Sequence, residues 1–423
     1  MKKILTFFVV ALLVIGCIEP PLKEANTLAK QLPECSEVRE KGKQPPCIVR
    51  RGDSNSPQKA LVISKNATPT HIEMNRINNK VYYDWIFLYW MPYDNNLSRF
   101  GTPIIEMITK GVQTQDILVV IESDFIGTKQ LSRHIITKDK VDIQTLDAVN
   151  SASENNFAEY LNWAHSQFEA QKWAIVFLGH GGYLDEVSPD EYSGNNRVIT
   201  QWMNIHKLSN VVVNFNRQIN DRIELFFFQN CNKGTIEAHY TVRNVAKYTL
   251  SSQKILGAPN YYYESLFEFL GKHPKVNGKQ VAEQIRKFER SDMYHSYTVT
   301  DNDHFSKISE TINPLIDLVV SSKKTINLTQ MQKYGYSGEQ YVDVIDFFKN
   351  VTEQTGAEQE KYNIFVEFIN NSVIHLPNPN VPNSLSGLGI FLPSSMEQLE
   401  KYSYLQIYSD LKLLKLFHTI LLD

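Results

Sequence analysis

Four short runs, almost wholly apolar and each of strand length, constrain the fold of this chain more than any other feature. They are residues 84–91 (DWIFLYWM), 117–121 (ILVVI), 173–178 (WAIVFL) and 223–228 (IELFFF). Apolarity that is continuous rather than alternating marks strands buried on both faces, the habit of parallel sheets covered by helices. Helical patterns separate the runs. Phe157, Tyr160, Leu161, Ala164 and Phe168 share one helix face. Leu208, Val211, Val212 and Phe215 mark a second helix, and residues 235–246 a third. Strand and helix alternating in this way predict an α/β sandwich with right-handed crossovers. Beyond about residue 272 the pattern is more helical, at 280–288, 305–320 and 341–351, and a strand-like run at 387–392 precedes a helix predicted over 404–421.

Composition narrows the function classes. With 42% hydrophobic and 21% charged residues the chain is neither disordered nor low in complexity. A formal net charge of −3 and the lack of a long basic run argue against nucleic acid as a partner. The only long apolar run is at the N-terminus, where Met1-Lys2-Lys3 precedes residues 4–15. It is too short to span a bilayer and has the shape of a secretory signal. It ends in Val14-Ile15-Gly16-Cys17, which resembles a bacterial lipobox, so Cys17 is expected to be lipidated and to begin the mature chain. Residues 17–80, rich in Pro and polar residues, read as a tether, with one short strand near 60–64. Cys35 and Cys47 either form a disulfide in an oxidising compartment or stay free thiols. Cys231 is the only cysteine after Cys47.

The chemistry gathers beyond two of the apolar runs, where ligands of parallel α/β sheets bind. Residues 173–178 lead into Gly179-His180-Gly181-Gly182, and residues 223–228 into Gln229-Asn230-Cys231-Asn232-Lys233-Gly234. A thiol near pKa 8.5 needs a base or cationic neighbour to act as a nucleophile. His180 supplies such a base, and the glycine amides beside it can face a developing oxyanion. A helix starting near Gly234 would add a positive dipole end beside Cys231. Taken singly, a histidine or a lone cysteine is usually structural. Together at two strand ends, 51 residues apart, they point to a Cys/His dyad.

These segments resemble the clostripain family of cysteine peptidases, within the caspase/gingipain/legumain fold group. Residues 89–97 (YWMPYDNNL) resemble the family's opening strand and its Asp-Asn-Asn-Leu. Residues 179–182 resemble its His-Gly-Gly turn, and 228–237 (FQNCNKGTIE) its nucleophile segment; 341–347 (YVDVIDF) and 386–393 (SGLGIFLP) also fit. The resemblance implies His180 as general base, Cys231 as nucleophile, and an oxyanion hole made by the amides of Gly181 and Cys231. Two departures stand out. Gly179 replaces the aspartate of the family's Asp-His-Gly-Gly, and Gln229 the aspartate of its Asp-Ala-Cys-Leu-Met, which helps bind a basic side chain. Gln229 is thus the expected substrate contact, with weak or absent preference for Arg and Lys; Asp185, Glu186 and Asp190, which follow the histidine, are the acids that could restore it.

The expected architecture is a caspase-like three-layer sandwich with a mostly parallel central sheet and a more helical C-terminal region. The expected divisions are a signal peptide at 1–16, a tether at 17–80, a catalytic domain at 81–272, and a helical region at 273–423 packed on it. The expected function is a bacterial surface or periplasmic lipoprotein that hydrolyses peptide bonds, anchored to the cell or outer membrane. The alternative is an inactive relative that binds peptides or a protein partner, and ligation by the same acyl-enzyme is a third outcome. No cofactor is implied, and calcium dependence is not legible in the sequence. The polar stretch 184–204 is an exposed loop open to nicking, with Arg197 its best self-cleavage site and Lys207 the second; the missing carboxylate at 229 argues against such cleavage.

Overall fold

A computed structural model of the protein describes residues 76, 77, 80–191, 200–335, 338–376, 378 and 385–422. The expectations for Cys17, Cys35, Cys47 and Arg197 lie outside the described residues, as does the tether apart from residues 76, 77 and 80, which belong to strands. The strands are, in chain order, β1 (Arg76–Ile77), β2 (Lys80–Tyr93), β3 (Ile117–Phe125), β4 (Ser132–Ile136), β5 (Val141–Thr145), β6 (Phe168–Leu178), β7 (Glu186–Asp190), β8 (Gln201–Asn204), β9 (Ile223–Gln229), β10 (Ala246–Ser252), β11 (Tyr297–Asp301), β12 (Tyr334–Gly335), β13 (Gln340–Asp343), β14 (Val373–His375) and β15 (Gly389–Phe391).

The main sheet runs β14-β11-β10-β9-β6-β2-β3-β4-β5, with β1 paired to β2. The four apolar runs are its centre: β3, β2, β6 and β9 are parallel neighbours, and β10 joins them in parallel. Antiparallel pairs flank this core at both ends. Every residue of β3 and of β9 is buried, as expected of strands covered on both faces. On one face the sheet packs Trp85, Phe87 and Tyr89 against helices Ser98–Gly111, Tyr263–Lys272 and Gly278–Phe288. On the other, Ile86, Leu88 and Trp90 meet helices Glu154–Gln167, Ile205–Ile219 and Ile236–Val242. Alternate residues of one strand thus fill two separate cores. A third core holds the C-terminal helices together, built around Phe347, Phe365, Tyr402 and Phe417.

Several boundaries differ from those read in the sequence. The helix expected over 235–246 ends at Val242, and Ala246–Ser252 turns back as a strand. The single helix expected over 404–421 is broken: Gln406–Asp410 and Leu413–Leu422 are separated by Lys412, whose φ of 53° is left-handed and cannot continue a helix. The main sheet also continues past residue 272, through β11 and β14.

Candidate functional site

Strand register builds the site. Leu178 of β6 lies opposite Gln229 of β9 across a parallel pair. His180 and Cys231 each follow two residues later, so they leave the same sheet edge at the same height. Both are buried, each with 2% of its surface exposed.

The Cys231 turn is held by backbone. Asn232 N donates to Lys254 O at 3.1 Å and Gly234 N to Ser252 O at 2.9 Å, both beyond or at the end of β10. Leu256 N donates to Cys231 Sγ at 3.2 Å. Asn232 adopts φ 56°, a conformation asparagine tolerates better than most residues. The helix expected near Gly234 begins at Ile236, where the Thr235 side chain caps Ala238 N. Cys231 is disulfide-bonded in this structure. Its sulfur must therefore be reduced before it can act as a nucleophile.

The His180 turn is held largely by side chains from elsewhere. Asn230 Nδ2 donates to Gly179 O at 2.9 Å and to His180 O at 3.2 Å, tying the two turns together. Gly179 has φ +117°, open only to glycine. A Cβ at Gly181 would lie 2.3 Å from Cys231 O, so the two backbones touch there and no side chain fits. Asn96 Oδ1 stands 2.8 Å from His180 Nε2. An amide oxygen accepts, so this contact favours the tautomer with the proton on Nε2 and the basic lone pair on Nδ1.

A narrow cleft of about 20 Å³ opens beside Cys231, room for a single water, with Tyr93, Leu97, Leu256, Gln229 and Asn260 in its walls. Gln229 is fully committed there. Its Nε2 donates to Asn260 Oδ1 at 2.5 Å and to Tyr263 Oη at 2.7 Å, and its Oε1 accepts from Tyr262 Oη at 2.7 Å. Behind it Asn260 Nδ2 donates to Glu289 Oε2 at 2.8 Å. Burial pushes the Glu289 carboxyl up to about 7 against the hydrogen bonds that favour its charge. Two of the expected acids stand elsewhere. Asp185 accepts from Asn204 Nδ2 at 2.8 Å and from Tyr404 Oη. Glu186 accepts from Tyr183 N at 2.9 Å. Neither lines the cleft. A larger cavity of about 560 Å³, walled by Ile326, Leu328, Leu392 and Leu421 among others, shares no residue with it.

Among the described residues one acidic group is close enough to share a cation: Asp94, Asp124 and Asp190, all buried, with carboxylate oxygens within 4.8 Å of one another. Burial, and then the charges of Asp94 and Asp190, raise Asp124 to about 8. Sequence reasoning did not single out Asn96, Asn230 or the destination of Lys233. The only signal was that each stands in a segment of the resemblance, Asn96 in Asp-Asn-Asn-Leu and the other two beside Cys231.

The profile of the clostripain family matches residues 89–418. The structure is similar to an inactive zymogen of a C11 protease from Parabacteroides distasonis, at 19% identity and TM-score 0.60, covering 78% of this chain and 98% of that one. It is equally similar to a secreted C11 cysteine protease from Bacteroides thetaiotaomicron solved with an irreversible peptide inhibitor, at 18% identity and TM-score 0.61, covering 78% and 100%. No curated protein sequence matches the chain.

Proposed function

The chain belongs to the clostripain family of cysteine peptidases, and we propose that it is an endopeptidase working through a Cys231/His180 dyad without strong preference for basic residues. The observation that carries this is the Leu178–Gln229 register, which puts the one cysteine after residue 47 and a histidine at one sheet edge. In the proposed cycle His180 Nδ1 takes the proton of the reduced thiol, and the thiolate attacks the peptide carbonyl. The amides of Gly181 and Cys231 hold the oxyanion, His180 returns the proton to the leaving amine, and water then releases the acyl group. Asn96 keeps the imidazole in the required tautomer. The neutral, hydrogen-bonded Gln229 offers a guanidinium no charge to pair with, a difference of about 1.5–3 kcal/mol, or one to two decades in rate. Self-cleavage at Arg197 is accordingly not expected.

The test is labelling of reduced protein with a panel of peptidyl electrophiles, wild type against Cys231→Ala and His180→Ala. The expected result is adduct formation that is lost in Cys231→Ala and slowed by several decades in His180→Ala, with both variants folded and neutral P1 residues preferred over Arg. Folded wild type that forms no adduct with any member, after reduction, would favour the inactive, peptide-binding alternative. We further propose lipidation at Cys17 and an extracytoplasmic, membrane-anchored location, from the basic, apolar, Val-Ile-Gly-Cys order of residues 1–17. Stable anchoring needs two or more acyl chains. Membrane fractionation of wild type against Cys17→Ala tests it, with soluble wild type overturning it.

A further inference from the structure

We infer that Lys233 is a positioning residue of this active site, clamping the His180 turn onto the Cys231 turn so that the Gly181 amide keeps its place beside the nucleophile. The inference rests on the peptidase reading above. Lys233 lies two residues after Cys231 and is wholly buried. Its Nζ crosses to the other turn, donating to Gly182 O at 3.1 Å and to Tyr183 O. The stem runs under Gly181, where an added Cβ would lie 3.2 Å from Lys233 Cε. One side chain therefore supports the glycine whose amide faces the oxyanion and grips the two carbonyls that follow.

Burying an ammonium is costly unless acids and acceptors surround it. The acids come from two elements: Asp185 and Glu186 from the histidine hairpin, and Glu339 from the segment before β13. Glu339 reaches the same hairpin, accepting from Leu184 N at 2.8 Å. It is itself held by the hydroxyls of Tyr341 and Tyr402 and by Lys401 at 3.3 Å. The hairpin is thus gripped on one side by the nucleophile turn and on the other by the C-terminal region. Burial lowers Lys233 to about 8 despite the three acids. Above that pH the ammonium becomes an amine, and its hydrogen bonds to the two carbonyls lose their charge.

The experiment compares Lys233→Met with wild type on a cleaved peptide and, separately, in alkylation of reduced Cys231 by iodoacetamide, which needs the thiolate but neither the oxyanion hole nor a leaving-group proton. The clamp predicts a folded variant with kcat lower by about 10- to 100-fold, the size of a charged hydrogen bond, KM within about threefold, and an alkylation rate near that of wild type. A folded variant with kcat within about threefold overturns the proposal, as does a loss confined to KM or matched by the alkylation rate. Should Lys233→Met fail to fold, the wild type decides. A kcat that falls above about pH 8 while alkylation still quickens supports the clamp, and a kcat flat to pH 10 overturns it. Wild type that cleaves nothing while still alkylating at Cys231 refutes the peptidase reading itself, a result distinct from any of these.

Discussion

The two turns that carry the dyad leave neighbouring strands at the same height, yet they are built differently. The Cys231 turn lies between β6 and β10 and is fastened to the end of β10 and the segment after it by main-chain hydrogen bonds from Asn232 N and Gly234 N, with Leu256 N donating to the Cys231 sulfur. The His180 turn has main-chain hydrogen bonds only within its own hairpin, such as Gly182 N to Glu186 O at 3.1 Å, and is fastened to the rest of the site by side chains: Asn96, Asn230 and Lys233, with Glu339 behind Leu184. A turn fixed by backbone tolerates substitution around it, whereas one fixed by single side chains is sensitive to each. Histidine placement is therefore the vulnerable half of this site.

The largest effect should come where the turns touch. Gly181→Ala puts a methyl 2.3 Å from Cys231 O, and since neither backbone can yield cheaply the oxyanion amide must move. Loss of an oxyanion donor costs about 10²–10³ in kcat, so a folded Gly181→Ala should fall by that much, with a normal rate of alkylation at reduced Cys231. Thr235→Ala provides the contrast. It removes the cap of the helix after Cys231 and should cost about 1 kcal/mol of stability while leaving kcat nearly unchanged. Equal losses of kcat in both variants would erase the distinction between the turns.

The same distinction explains what could be read in the sequence. Continuous apolar runs fix the central strands, and the polar residues just past them can only emerge at the sheet edge, so His180 and Cys231 were legible without coordinates. Backbone support of the Cys231 turn was partly hidden, because Ala246–Ser252 (AKYTLSS) mixes polar and apolar residues and forms no continuous apolar run. The supports of the His180 turn were not legible at all. Asn96 reaches His180 across 84 positions of chain, and Lys233 reaches Gly182 across 51. Which carbonyl a buried side chain finds is set by how two turns pack, and no local periodicity encodes it. The same holds for Asp185 and Glu186: nearness to His180 in sequence suggested a pocket role, but hairpin geometry turns them toward Asn204, Tyr404 and Tyr183.

Two smaller predictions separate fastening from chemistry within the His180 turn. Asn230→Ala frees two carbonyls, that of the half-buried Gly179 and that of the buried His180. An orphaned buried acceptor costs about 1–3 kcal/mol, so thermal denaturation should show a clear drop in Tm together with reduced kcat. Asn96→Ala leaves the turn in place and removes only the acceptor for Nε2–H. Its Tm should stay near wild type while kcat drops about tenfold, roughly 1.4 kcal/mol, because both tautomers become populated. If Asn96→Ala lowers Tm as much as Asn230→Ala, the asparagine is a fastener and does not orient the base.

The smallest effect on turnover, and the sharpest on selectivity, belongs to Gln229→Glu. Gln229 stands on the Cys231 side, where its amide is satisfied by Asn260, Tyr262 and Tyr263. A glutamate keeps the size and can accept from both tyrosine hydroxyls but, once ionised, loses the donor to Asn260 Oδ1, so stability should fall by about 1–3 kcal/mol while kcat of the folded variant on neutral substrates changes little. Its charge, however, enters a space where burial already holds Glu289 up at about 7, and a second carboxyl there is raised in the same direction. A raised carboxyl is neutral below its shifted pKa and ionised above it. The variant should therefore discriminate poorly between P1 Arg and neutral residues near pH 6 and gain preference for Arg as pH rises toward 8, by about tenfold or less. Wild type should show no such trend across that range. Profiling both proteins on one peptide library at the two pH values checks the sign. A preference for Arg already strong in wild type would mean that an acid outside the described cleft reaches the substrate, and Gln229 would then not be the residue that sets selectivity.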